Sequence, residues 1–313
     1  MKQIKIADTT LCAEKGVFGF KEKLEIARQL ERLEVDVIEI PEIQNAKVDC
    51  LFVRTASSFV KNSIISVAAG SSEESVKLAV EALSSAQHGR VRIELPVSPV
   101  GMEYIAHKKA AAMPDYITKL IGIAKESVSE VEFCAVDATR TEKEFLMQLI
   151  DAAVAAGATH ISICDSAAEI LPDDFAAFIA EIAEKVSLPI GVACNNKNGL
   201  AAASAILAVR KGADCIKTDI GGNQAPLVDI ADMIKNCGNN YQYTASLKQT
   251  ELYRIVKQIS WITSNAKNEK AAMTVAAGEE NEVYLDVNDD QAAVDMAVAK
   301  LGYDLSEEDQ KMV

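Results

Sequence analysis

The chain has 313 residues, 49% of them hydrophobic and only 5% aromatic, and carries a formal charge of −14. Charge of that sign argues against nucleic acid or an anionic membrane surface as partner, yet leaves room for a small anion in a local basic pocket. No apolar run approaches the roughly 18 residues that span a bilayer, and the N-terminal MKQIKIADTT enters a strand directly, with no signal peptide.

From the start, strand-like and helix-like segments alternate. Ile4–Asp8 reads as a strand and Lys21–Leu33 as an amphipathic helix, with apolar residues at 24, 26, 27, 30 and 33. Val37–Ile40 and Ala46–Val60 form the second pair, Ile64–Ala68 and Glu73–Leu83 the third, and Val91–Leu95 and Met102–Ala124 the fourth. Val131–Ala135, His160–Cys164, Ile190–Ala193 and Cys215–Thr218 are the remaining strands. Their helices are Glu142–Ala155, Pro172–Val186, Gly199–Arg210 and Leu227–Asn236. Eight uninterrupted βα units predict an α/β fold, a closed (β/α)8 TIM barrel over residues 1–240, rather than two average domains. Gly157 and Gly212 each stand at a helix-to-strand junction, where a left-handed cap is expected.

After residue 240 a small helical subdomain is expected over 241–313. Ala245–Ser264 reads as a long helix carrying the only Trp, Trp261, and Asn265–Asn288 as a polar linker or lid. Asp289–Leu301 is a further helix. The run from Asp304 to Gln310 resembles an N-cap and first turn, which suggests that the natural protein continues into another domain. The seven cysteines (Cys12, Cys50, Cys134, Cys164, Cys194, Cys215 and Cys237) form no CxxC pair, and reduced thiols in a cytoplasmic protein are expected.

In such a barrel, chemistry sits at the C-terminal strand ends. Those ends hold Asp8, Thr9, Thr10, Cys12, Glu39, Ser71, Glu94, Ser98, Asp137, Thr139, Arg140, Asp165, Ser166, Asn195, Asn196, Lys197, Thr218, Asp219 and Asn223. The three histidines do not: His88 precedes a strand, His107 is read inside a helix and His160 begins a strand, so a His-rich metal site is unavailable. Lys197 could bind a carboxylate or phosphate, or be a solvated loop residue. Cys12 could be a nucleophile near a helix start, though no His serves it, and packing is the alternative. Asp8 is read as functional, because an unpaired carboxylate at that strand end would be costly to bury. Lys217, on the eighth strand, is the one candidate for a Schiff-base lysine, and alternation could equally turn it outward.

Ile6–Leu11 (IADTTL), Val37-Ile38-Glu39, Phe133–Arg140 (FCAVDATR), Gly191–Ala201 (GVACNNKNGLA) and the tail Lys300–Leu305 resemble the α-isopropylmalate synthase and homocitrate synthase family, together with hydroxymethylglutaryl-CoA lyase. The resemblance implies a Claisen-type condensation of acetyl-CoA or another acyl-CoA with a 2-oxo acid, or the reverse cleavage. It also implies a divalent metal such as Mg²⁺ or Mn²⁺, and a homodimer. By resemblance the metal set is Asp8, Asn195 and Asn223, the catalytic set is Asp8, Cys12, Arg140 and Asp165, and Thr10, Glu39, Ser98, Ser166 and Lys197 bind substrate. The family's seventh-strand His pair is replaced by Ala193 and Asn195, its first-strand Arg by Cys12, and the His after Ser98-Pro99 by Gly101. An all-oxygen donor set holds Mg²⁺ loosely and softer metals poorly. Two readings therefore stand: a divergent synthase or lyase, and a catalytically silent relative that senses a ligand or regulates a partner.

Overall fold

The computed structural model describes residues 1–12 and 17–277. Its strands and helices follow in order as β1 (Lys2–Gln3), β2 (Lys5–Asp8), α1 (Phe20–Leu33), β3 (Val37–Ile40), α2 (Ala46–Phe59), β4 (Ile64–Ala69), α3 (Glu73–Leu83), β5 (Gly89–Pro96), α4 (Pro99–Tyr104) and α5 (Met113–Lys125). There follow β6 (Glu130–Val136), α6 (Lys143–Ala155), β7 (His160–Asp165), α7 (Pro172–Ala183), β8 (Ile190–Cys194), α8 (Ala201–Arg210), β9 (Cys215–Asp219), β10 (Ala225–Pro226), α9 (Leu227–Tyr241), β11 (Tyr243–Thr244) and α10 (Leu252–Ala277).

Strands β2 to β9 pair in chain order, all parallel, and β9 pairs with both β8 and β2, so the sheet closes on itself as an eight-stranded barrel. The helices bury one stripe each; α1, for example, sinks Ile26, Ala27, Leu30 and Leu33. Helix starts are capped by side chains where the sequence provides them: Asn45 accepts from Lys47 N and Val48 N, and Ser98 accepts from Gly101 N ahead of Pro99. Gly157 and Gly212 adopt φ of +100° and +126°. At Gly212 a Cβ would also lie 2.5 Å from Ala183 Cβ, so this junction requires glycine on two counts. Short β1 pairs with β11, joining the N-terminus to the segment after the barrel.

Four expectations are corrected. The single helix expected over Met102–Ala124 is divided into α4, a 3-10 turn at Ala110–Ala112, and α5. Pro114, in the first turn of α5, cannot continue a helix from before it. His107 accordingly lies in a loop, at φ +51°, and not inside a helix. The helix expected from Ala245 begins at Leu252. The segment before it runs as a loop in which Leu247 is buried and Lys248 N donates to Leu33 O. Residues 265–277, expected in a linker, continue α10, whose Ala-rich sequence lacks glycine and proline. The expected helix at Asp289–Leu301 and the cap at 304–310 lie outside the described residues. Met1–Ser264 forms one compact unit. No described helix is long and apolar enough to cross a membrane.

Candidate active site

Strand alternation makes the inside of this barrel polar. Glu39, Ser66, Arg92, Glu132, Ser162 and Lys217 are all buried. Glu39 is in register with Ser66, and Arg92 with Glu132. Lys217 Nζ donates to Glu39 Oε1 at 2.6 Å and to Glu132 Oε1 at 2.7 Å, and Ser162 Oγ donates to the same Glu132 oxygen at 2.7 Å. Arg92 Nη1 lies 3.3 Å from Glu39 Oε2, and Arg90 Nη1 lies 3.4 Å from Glu132 Oε2. Burial opposes the Lys217 charge, but Cys134, Glu132 and Glu39 around it prevail and hold its pKa well above the ordinary lysine value. Burial likewise works against ionised Glu132, and Lys217, Arg90 and Arg92 overcome it and hold that carboxyl low. Lys217 thus faces inward as an ammonium clamped between two carboxylates, not as the free amine that Schiff-base chemistry needs.

Above this network, at the C-terminal strand ends, lies a cavity of about 230 Å³. It is lined by Thr9, Cys12, Glu39, Glu94, Asp165, Ser166, Asp219 and Asn223 among the expected strand-end residues, and also by Arg92, Lys217 and Gln224. A neighbouring chamber of about 550 Å³ opens over β3 to β5 and shares Cys12, Arg92, Glu94 and Val136 with the first. Gly70, at φ +143°, sets its wall: a Cβ there would meet Glu94 O at 2.7 Å.

Asp165 carries the clearest acid–base character among the cavity residues. Burial raises its pKa, against the lowering hydrogen bond from Thr139 Oγ1 at 2.9 Å. Arg140 chelates Asp137 through Nε and Nη2, and Asp137 itself sits in the left-handed region at φ +61°. Ser166 Oγ accepts from Asp137 N. Cys12 lies at the cavity wall, and burial pushes its thiol up to about 12, with Arg92 opposing, so it is no thiolate near neutrality.

Other expected residues stand apart. Asp8 is wholly buried and is not among the residues lining the cavity. The register that places Ala7 beside Lys217 and Asp8 beside Thr218 turns Asp8 to the strand face opposite Lys217. Its Oδ1 accepts from Thr10 N, its Oδ2 has no partner, and burial raises it to about 7. Thr10 Oγ1 accepts from Ile220 N, and Ser98 caps α4. Asn195 Oδ1 accepts from Lys197 N, and Lys197 is exposed on that loop. Reading strand ends overlooked Arg92 and Glu132, which lie within strands. The signal was present in the charged alternation Arg90, Arg92, Glu94 and Glu130, Glu132, because polar residues at every second position mark a polar lumen.

A family model described as HMGL-like matches residues 3–259. The chain belongs to the HMGL-like family. It is 33% identical over 229 residues to the 2-isopropylmalate synthase of Aquifex aeolicus, covering 71% of this chain and 44% of that protein. The chain spans about half the length of the curated relatives it matches. Among solved structures, the HMG-CoA lyase of Bacillus subtilis shares the fold with a TM-score of 0.72 at 14% identity, over 86% of this chain and 99% of that one. An HMG-CoA lyase of Acinetobacter baumannii, in complex with coenzyme A and 3-methylmalate, gives 0.66 at 13% identity, over 84% and 92%.

The divalent metal that the family resemblance implies does not fit these donors. Asp8 faces away from the cavity and Asn195 Oδ1 is engaged by its own loop. Ala193 packs with Cys134 and Cys164 in an apolar cluster where the first imidazole of the His pair would project. Among the described residues no group of three His, Cys, Asp or Glu side chains could hold a metal ion.

Proposed function

We propose that this barrel is a divergent HMGL-like site that joins an acyl-CoA to a 2-oxo acid, or cleaves the corresponding product, without a tightly held divalent metal. The observation that carries the reading is the family match across the whole barrel, together with a cavity at its C-terminal strand ends lined by an always-charged arginine and an acid–base carboxylate. The neighbour's complex with coenzyme A and 3-methylmalate supports ligands of this class. In the condensing direction Asp165 takes a proton from the acyl α-carbon, the resulting carbanion attacks the 2-oxo carbonyl, and the alkoxide that develops beside the Arg92 guanidinium takes a proton back from Asp165. Water then cleaves the thioester, releasing the CoA thiol and a carboxylate. Thr139 orients Asp165, while Arg140 fixes Asp137 beside it. Ser166 and Asn223 add hydrogen bonds to substrate, and Lys197, exposed on the loop after β8, is a further positive charge for an anionic group. A cytoplasmic homodimer completes this reading.

The test is free-thiol release from acetyl-CoA and longer acyl-CoAs with a panel of 2-oxo acids, with and without a chelator. Turnover that survives chelation and falls about 100-fold or more in Asp165→Asn is the expected result. Turnover abolished by the chelator would contradict the metal-free site. A second reading, a catalytically silent ligand sensor, is favoured by one observation: Glu39, Glu132, Lys217 and Arg92 largely neutralise one another. Binding of a 2-oxo acid with no thiol release from any acyl-CoA would select it.

A further inference from the structure

Arg92 lies at the boundary of the two chambers, and its guanidinium has two unlike sides. The inner side is built in: Nη1 reaches Ser66 Oγ at 3.2 Å, Ser66 O at 3.4 Å and Glu39 Oε2 at 3.3 Å, and both Ser66 and Glu39 are buried. The outer edge, Nε and Nη2, meets a single carboxylate oxygen, Glu94 Oε2, at 3.4 and 3.3 Å. Nη2 also lies 3.8 Å from Cys12 Sγ. A carboxylate seated on that fork would normally bring two oxygens to about 2.7–2.9 Å. Glu94 approaches from two residues along the same strand with one oxygen, at longer range. Its side chain is 41% exposed, whereas that of Arg92 is 2% exposed. Glu94 can therefore withdraw into water while the arginine cannot.

We propose that the Nε–Nη2 edge of Arg92 is the carboxylate subsite of this barrel and that Glu94 is an internal placeholder which an incoming carboxylic acid displaces. This deepens the reading of the cavity as a substrate site and rests on it. Cys12, where the family resemblance places an arginine, stands beside this edge, so the cation reaches the same wall from β5 instead of β2. A ligand seated there has its body in the larger chamber, whose walls include Ala68, Ala69, Leu95 and Ile105. The ligand class is thus a small carboxylic acid with an aliphatic body, held by a bidentate guanidinium contact.

Isothermal titration with pyruvate and with 2-oxohexanoate tests this on the intact chain. Glu94→Gln empties the fork of its competing charge and should tighten binding of both acids by about tenfold or more, with 2-oxohexanoate the tighter. Glu42→Gln is the control. Glu42 lines the same chamber and accepts from Ser71, so it removes one negative charge without touching Arg92. Arg92→Lys, which keeps the charge but loses the fork, should weaken binding in the Glu94→Gln background. An equal gain in Glu42→Gln, no gain in Glu94→Gln, or no binding by any variant would overturn the proposal. Binding that follows this pattern without thiol release would leave the subsite standing and count against the catalytic reading alone.

Discussion

A carboxyl group with one oxygen bonded to Thr10 N and the other without a partner is expensive to ionise in a barrel wall, and Asp8 is such a group. Burial is the largest influence and raises it to about 7, with Asp219 and Glu39 adding repulsion. The unfolded chain releases this proton near pH 4, the folded chain only near 7. Between those values the unfolded state binds fewer protons, so the contribution of Asp8 to stability is full below pH 4 and is lost as pH rises through 7. Asp8→Asn should therefore gain roughly 2–4 kcal/mol relative to wild type at pH 8 and show no comparable gain at pH 4, read from urea denaturation at both values. An equal gain at both would mean that Asp8 ionises normally in the folded chain. Individual residues were only partly legible in the sequence. Asp165, Ser166, Glu39 and Cys12 follow from strand ends, whereas the facing of Asp8 depends on a register with β9, two hundred residues away, which no local pattern encodes.

At the level of elements, the helix-to-strand junctions are exacting. Gly212→Ala places a Cβ 2.5 Å from Ala183 Cβ at a φ of +126°. We expect a loss of about 1–3 kcal/mol, measured by chemical denaturation. Ala183→Gly in that background should return only the steric part. Alternation, caps and glycines made all eight βα units legible, because each is a local property of a few neighbouring residues. The break between α4 and α5 does not show in apolar spacing, which continues across it; Pro114, in the first turn of α5, is its local mark. The start of α10 was misplaced for a different reason: the loop before it is fixed by tertiary contacts of Leu247 and Lys248 that periodicity does not register.

For the molecule as a whole, the deciding feature is an ionic layer across the barrel. Lys217 joins β9 to β3 and β6 through two carboxylates, and Arg90 and Arg92 extend the layer from β5. Removing one charge leaves others buried without compensation. Lys217→Met should cost roughly 3–5 kcal/mol, and Lys217→Met with Glu132→Gln should recover part of it, as judged by urea midpoints. Full stability in the single variant would show that water enters the lumen and solvates the carboxylates. Closure into a barrel was legible from eight repeats alone. The pairing of its charges into one layer was not, since it emerges only when alternate positions of separate strands are brought to one level.

The same layer has a consequence for proton exchange with solvent. The Lys217 ammonium is buried and donates to two carboxylates, so its protons are shielded from the water and hydroxide that normally strip lysine protons within milliseconds. Such an ammonium should persist as a distinct resonance in nitrogen-15-labelled protein at neutral pH. Its exchange should report the breathing of the barrel from inside, at a depth that backbone amides on the outer helices do not sample.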